Sequence, residues 1–112
     1  MASDGSITHC LRLLRQGDAG AVRVIWERYY PRLVRLAREK LAATPRATAA
    51  EEDVALSAMD RFFRAVQGGR YPDLADRDGL WRLLLRITTR RALDLARRER
   101  SQRRGGGGER DR

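Results

Sequence analysis

The sequence is short of the residues on which most site chemistry depends. Cys10 is the only cysteine and His9 the only histidine in 112 residues. A single thiol excludes a disulfide framework, and one imidazole beside one thiol cannot assemble a zinc site or a histidine-dependent catalytic group. Both residues are therefore expected as ordinary packing or surface positions on a first helix. No stretch approaches the ~20 consecutive apolar residues of a membrane span. The start, MASDGSITHC, lacks the basic-then-apolar pattern of a signal peptide. These absences lead to the expectation of a cytoplasmic protein. Strand-like alternation and internal repeats are also missing, which removes β and solenoid architectures.

What the chain does have is arginine. The formal net charge is +9, and Lys40 is the only lysine among 24 basic residues. Guanidinium stays charged and binds phosphate bidentately, so the excess points to a polyanionic partner, with a general preference for Arg over Lys accounting for part of it. The length bounds one domain. An apolar fraction of 42% supports a small helical core but leaves too little for a two-layer enzyme with a deep pocket.

Apolar spacing divides the chain into four helices. Ser6 can cap a first one carrying Ile7, Cys10, Leu11 and Leu14, which Gly17-Asp18 ends. Asp18 can cap a second, from about Ala19 to Leu41, with a stripe of Val22, Ile25, Trp26, Tyr29, Leu33, Leu36 and Ala37. Pro31 falls inside this stripe without breaking its phase, so a kink is expected rather than two helices. After a connection over 42–47, Thr48 and Glu51 match a capping box, and Glu51, Glu52 and Asp53 suit the positive end of the helix dipole. This third helix turns Val54, Ala55, Ala58, Met59, Phe62, Phe63 and Val66 inward until Gly68-Gly69. A polar connection, Arg70 to Gly79, precedes a fourth helix capped by Asp78. From Gly105 the chain reads as a flexible tail or the start of a linker. The fold class is all-α, a bundle of about four helices over residues 1–104.

No catalytic constellation emerges. The carboxylates at 51–53 are explained by the dipole, and Asp73, Asp76 and Asp78 make turns and a cap, without a defined metal-ligand spacing. Gly105 to Gly108 lacks the preceding strand and following Lys-Ser/Thr of a phosphate loop. No cofactor is implied.

The fourth helix differs. Between Leu80 and Arg104 stand nine arginines against Asp94 and Glu99. Leu80, Leu83, Leu84, Ile87 and Leu95 share one face, while Arg82, Arg86, Arg90 and Arg97 lie opposite or beside it. Arg82, Arg86 and Arg90 follow i, i+4, i+8, a continuous strip almost without acidic partners, and the basic run extends through Arg98, Arg100, Arg103 and Arg104. Such a strip is expected to meet nucleic acid or an acidic protein surface. Asp94 is placed to pair with Arg91, Arg90 or Arg98. Trp81, off the centre of the apolar arc, either joins the core or stacks on an exposed base. Tyr71, in the loop, is expected exposed and is a second stacking candidate.

Three segments in this order resemble the promoter-melting domain, the second conserved region, of bacterial sigma factors of the extracytoplasmic-function (ECF) group. WERYYPRLVRLAREKL (Trp26 to Leu41) is similar to the family's first long helix. EEDVALSAMDRFF (Glu51 to Phe63) is similar to the helix that docks on the clamp helices of core RNA polymerase. LWRLLLRITTRRALDLARRE (Leu80 to Glu99) is similar to the helix that meets the minus-ten promoter element, with Ala92-Leu93-Asp94 matching a recurring triplet. Leu56-Ser57 stands where family members usually carry Gln-Glu, and Arg90 where an Asn is usual.

The resemblance implies a sigma factor that binds core polymerase and recognises and melts the minus-ten element, without catalysing a reaction. Implied polymerase contacts are Asp53, Ser57, Asp60, Arg61 and Arg64. Implied promoter DNA contacts are Tyr71, Trp81, Arg82, Arg86, Arg90 and Arg97, with the Arg70 to Gly79 loop accepting a flipped-out base. An anti-sigma regulator is a further candidate partner. The family's second domain, for the minus-thirty-five element, has no counterpart in these residues, and the chain reaches only to where its interdomain linker would begin. The alternative reading is a basic helical nucleic-acid-binding module without a polymerase partner.

Overall fold

Among the described residues the chain forms four helices: α1 (Ser3–Arg15), α2 (Ala19–Lys40), α3 (Thr48–Gln67) and α4 (Arg77–Gly105). The structure, a computed structural model, describes residues 3–41 and 48–105. The side chains of Ser6 and Thr48, and with them both expected caps, lie outside the described residues. So do the connection 42–47, the side chains of Arg103 and Arg104, and the tail beyond residue 105. The first helix begins at Ser3, ahead of the expected start at Ser6.

Two helix ends are built the same way. At the end of α1, Asp18 N donates to Leu13 O at 3.1 Å and Gly17 N to Leu14 O at 2.9 Å; at the end of α3, Arg70 N donates to Ala65 O at 2.8 Å and Gly69 N to Val66 O at 3.1 Å. Both are Schellman closures, which need a left-handed residue at the penultimate position. Gly17 (φ 81°) and Gly69 (φ 90°) supply it. Asp18 then serves twice, because its Oδ2 also accepts from Ala21 N at 2.9 Å and starts α2. At α4 the cap differs from expectation: Asp76 Oδ1, not Asp78, accepts from Gly79 N at 2.7 Å, and the helix begins two residues early.

α2 runs unbroken through Pro31, whose ring is exposed. The missing donor is on the solvent side, so Ile25, Tyr29, Leu33, Leu36 and Ala37 stay buried in phase on both sides of it. Glu51 is buried and ion-paired with Arg38 across the α2–α3 interface at 3.2 Å.

The core has two parts. The larger joins Ile7, Leu11 and Leu14 of α1 to Ile25, Tyr29 and Leu33 of α2, Met59 and Phe62 of α3, and Leu80, Leu84 and Ile87 of α4. The smaller is built from Ala37, Leu41, Ala50, Val54, Ala92 and Ala96. Along α4 the buried row is Leu80, Leu84, Thr88, Ala92 and Ala96. Residues four apart advance about 400°, so the buried face turns slowly around the helix. Leu95, expected on one face with Leu80, Leu83, Leu84 and Ile87, is therefore only half-buried against the alanine cluster.

Candidate nucleic-acid interface

Because the buried row rotates, the opposite face of α4 is left wholly to solvent. Arg82, Arg86, Arg90 and Arg97 are exposed on it, and Leu93 stands among them with 48% of its surface open. Among the described residues, Arg82, Arg86 and Arg90 form no ion pair, whereas Asp94 pairs with Arg97 at 3.5 Å. The partner of Asp94 is thus the arginine three residues on rather than Arg90, Arg91 or Arg98. Uncompensated like charges one turn apart repel weakly, by ~0.2–0.5 kcal/mol a pair, and an anion laid along them reverses the sign.

Among the described residues three clefts open along this strip. The first, about 540 Å³, lies between the pre-α4 loop (Tyr71, Pro72, Leu74) and the start of α4 (Arg82, Leu83, Arg86). The second, about 640 Å³, follows α4 past Thr89, Arg90, Leu93 and Arg97. The third, about 350 Å³, sits between α3 and α4 and is walled by Arg61, Tyr71, Arg91 and Asp94. Arg86 borders all three, so the clefts adjoin at its side chain along one face of α4. Apolar surface under a cationic rim matches a stacked base with its phosphate.

The expected site residues divide. Tyr71, Arg82, Arg86, Arg90 and Arg97 line this groove. Tyr71 is half-buried against the larger core rather than exposed, and it also lines the first cleft. Trp81 lines none of the three clefts. It points toward α2, stacked on Tyr29 at 6.4 Å, with the Arg32 guanidinium 4.2 Å above its ring. Arg61, expected on the polymerase side, lines the third cleft beside Arg86 and Arg90. Leu93 and Arg91 are additional groove residues. Leu93 carried a signal in the sequence, an apolar side chain inside the arginine strip. Arg91 carried none, and its Nε is buried without a hydrogen-bond partner.

The outward face of α3 is of another kind. Asp53, Asp60 and Arg64 are exposed, Ser57 is half-buried, and Leu56 is 45% open. Arg64 and Asp60 pair at 3.1 Å. Beside this face Trp26 stacks on Tyr30 (4.9 Å, 8°) and Phe63 (6.4 Å). Burial, then the carboxylates of Glu52 and Asp53, push the Tyr30 hydroxyl above the usual tyrosine range.

Among the described residues no group of three or more His, Cys, Asp or Glu could hold a metal ion, and no helix is long and apolar enough to cross a membrane. Asp76 is used by its cap, and Asp73 lines the first cleft. The sequence matches the ECF sigma factor family over residues 4–112. The chain belongs to the ECF sigma factors, proteins of transcription initiation whose partners are RNA polymerase and promoter DNA. No curated protein and no solved structure matches it.

Proposed function

We propose that this chain holds the non-template strand of a minus-ten element in the α4 groove while α3 docks on the clamp helices of core RNA polymerase. The observation that supports the reading is the row of clefts under the arginine strip, which adjoin at Arg86. Arg82, Arg86, Arg90 and Arg97 neutralise successive phosphates. The first cleft accepts one unpaired base, with Tyr71 and Leu83 as its apolar walls. Flipping a base out of a duplex costs a few kcal/mol. Phosphate contacts and polymerase docking supply that free energy together, and melting follows from trapping the open strand. No chemical step is assigned to the chain, since the polymerase performs the reaction.

On α3, Asp53, Ser57, Asp60 and Arg64 contact polymerase, and exposed Leu56 adds an apolar anchor among them. Arg61 sits where the two faces meet. Trp81 supports the groove from behind by packing on Tyr29. An anti-sigma regulator with an acidic surface would compete for the arginine strip. In this reading the chain works in the cytoplasm, beside the polymerase.

The testing experiment is a pull-down of core RNA polymerase with the tagged chain. The wild type is expected to retain polymerase, and Asp60→Arg to lose it while still binding single-stranded promoter DNA. A wild-type chain that binds DNA but retains no polymerase would favour the polymerase-independent basic module instead.

A further inference from the structure

Helix α1 belongs to neither face, yet two of its side chains reach the loop before α4. Arg15, its last residue, donates from Nη2 to the carbonyl oxygens of Tyr71 (3.2 Å), Pro72 (3.5 Å) and Leu74. About two turns back on the same side of the helix, Thr8 Oγ1 donates to the carbonyl of Ala75 at 2.7 Å. Tyr71, Pro72 and Leu74 all line the first cleft. Tyr71 is also the one non-glycine residue among those described with positive φ, at 58°. A bulky side chain disfavours that region, so the conformation persists only where its surroundings hold it. The Tyr71 carbonyl accepts twice, from Leu74 N at 3.1 Å and from Arg15. All three contacts come from one nitrogen, Nη2, whose two hydrogens lie in the fixed guanidinium plane and are shared among the converging carbonyls; an ammonium is a point charge without that plane. The Schellman closure fixes the backbone of Arg15 at the start of this reach.

We propose that Arg15 is the positioning residue of the base-accepting loop. It clamps the loop carbonyls so that the Tyr71 ring and the Pro72–Leu74 wall hold the shape that discriminates one base from another. The inference rests on the reading of the first cleft as a base site. It separates two properties of the groove: the α4 arginines set affinity for any strand, and the α1 clamp sets which base is preferred.

The test uses the full chain and its Arg15→Ala and Arg15→Lys variants. Binding is measured to single-stranded minus-ten oligonucleotides with each position varied through the four bases, and amide hydrogen exchange is followed at residues 70–76. Arg15→Ala is expected to flatten the base preference at one position by about tenfold, the scale of a hydrogen bond to a charged group. The same variant should speed exchange at 70–76, and the slope of affinity against salt should stay at the wild-type value. Arg15→Lys, which keeps a cation within reach of the carbonyls, should restore part of the preference. Wild-type preference in Arg15→Ala overturns the proposal. Lost preference with unchanged loop exchange also overturns it, by making Arg15 a direct contact. If the wild type itself shows no preference at any position, the base-site reading fails. Loop exchange alone then decides the clamp: faster exchange in Arg15→Ala keeps it, and unchanged exchange removes it.

Discussion

The outward faces of α3 and α4 are both exposed and both charged, but they manage their charge differently. On α3, Arg64 is answered by Asp60 at 3.1 Å, Asp53 lies about two turns before Asp60, and Leu56 is open among them. On α4, Arg82, Arg86 and Arg90 have no ion pair among the described residues, while Arg97 is answered by Asp94. An exposed pair contributes ~0–1 kcal/mol, so the α3 pair opens at little cost when a partner offers its own charges. That mixed, partly apolar surface suits a protein. An unanswered row of guanidiniums suits a polyanion whose counterions it can displace.

Substitutions that break one face and spare the other sharpen this contrast. The largest effect is expected for the combined Arg82→Ala, Arg86→Ala and Arg90→Ala variant. Removing three phosphate contacts at ~0.7 counterions each corresponds to roughly a hundredfold loss of single-strand affinity at about 0.1 M salt. Polymerase retention should be unchanged, the mirror image of Asp60→Arg. If the triple variant lost polymerase as well, the two faces would not be separate surfaces.

A smaller effect, of a different kind, is expected at Trp81. Its ring packs on Tyr29 and beneath Arg32, away from the groove. Trp81→Ala should lower stability by about 2 kcal/mol, below the ~3–5 kcal/mol of a fully buried aromatic, as read by denaturant unfolding. Its salt slope for DNA should match the wild type. A wild-type stability with weakened strand binding would instead return Trp81 to the DNA-contacting group.

The smallest effect concerns the border of the α3 face. The Tyr30 hydroxyl is held above its ordinary value of 10.0 by burial and by Glu52 and Asp53. The folded state therefore binds this proton more tightly than the unfolded chain. Its contribution to stability is fully present below pH 10 and is lost as pH rises through the folded pKa. Absorbance titration near 295 nm should show Tyr30 ionising above the ordinary tyrosine value, and Glu52→Gln should bring it earlier. An unmoved Tyr30 in Glu52→Gln would remove the carboxylate from the cause.

The helices were legible because their signals are local. Asp18 followed by an apolar stripe, and Gly68-Gly69 after one, specify a start and a stop within a few residues of sequence. The arginine strip was equally plain, since i, i+4 spacing alone sets which side chains share a face. What escaped was settled by distant or degenerate choices. Asp76 and Asp78 are both plausible caps, and the loop geometry, including the Tyr71 backbone, picks the first. Pairing in the other registers was open to Asp94 until the rotation of α4 fixed which side it faces. Arg15 meets carbonyls 56 to 59 residues away, and no spacing rule carries that contact. Arg61 was assigned by its helix alone; the approach of α3 to α4 puts it in the groove.

The most direct measurement is the slope of log affinity against log salt for a single-stranded minus-ten oligonucleotide, wild type beside the triple arginine variant. Three lost phosphate contacts should reduce the slope by about 2 units. An unchanged slope would contradict the assignment of the α4 strip as the DNA face.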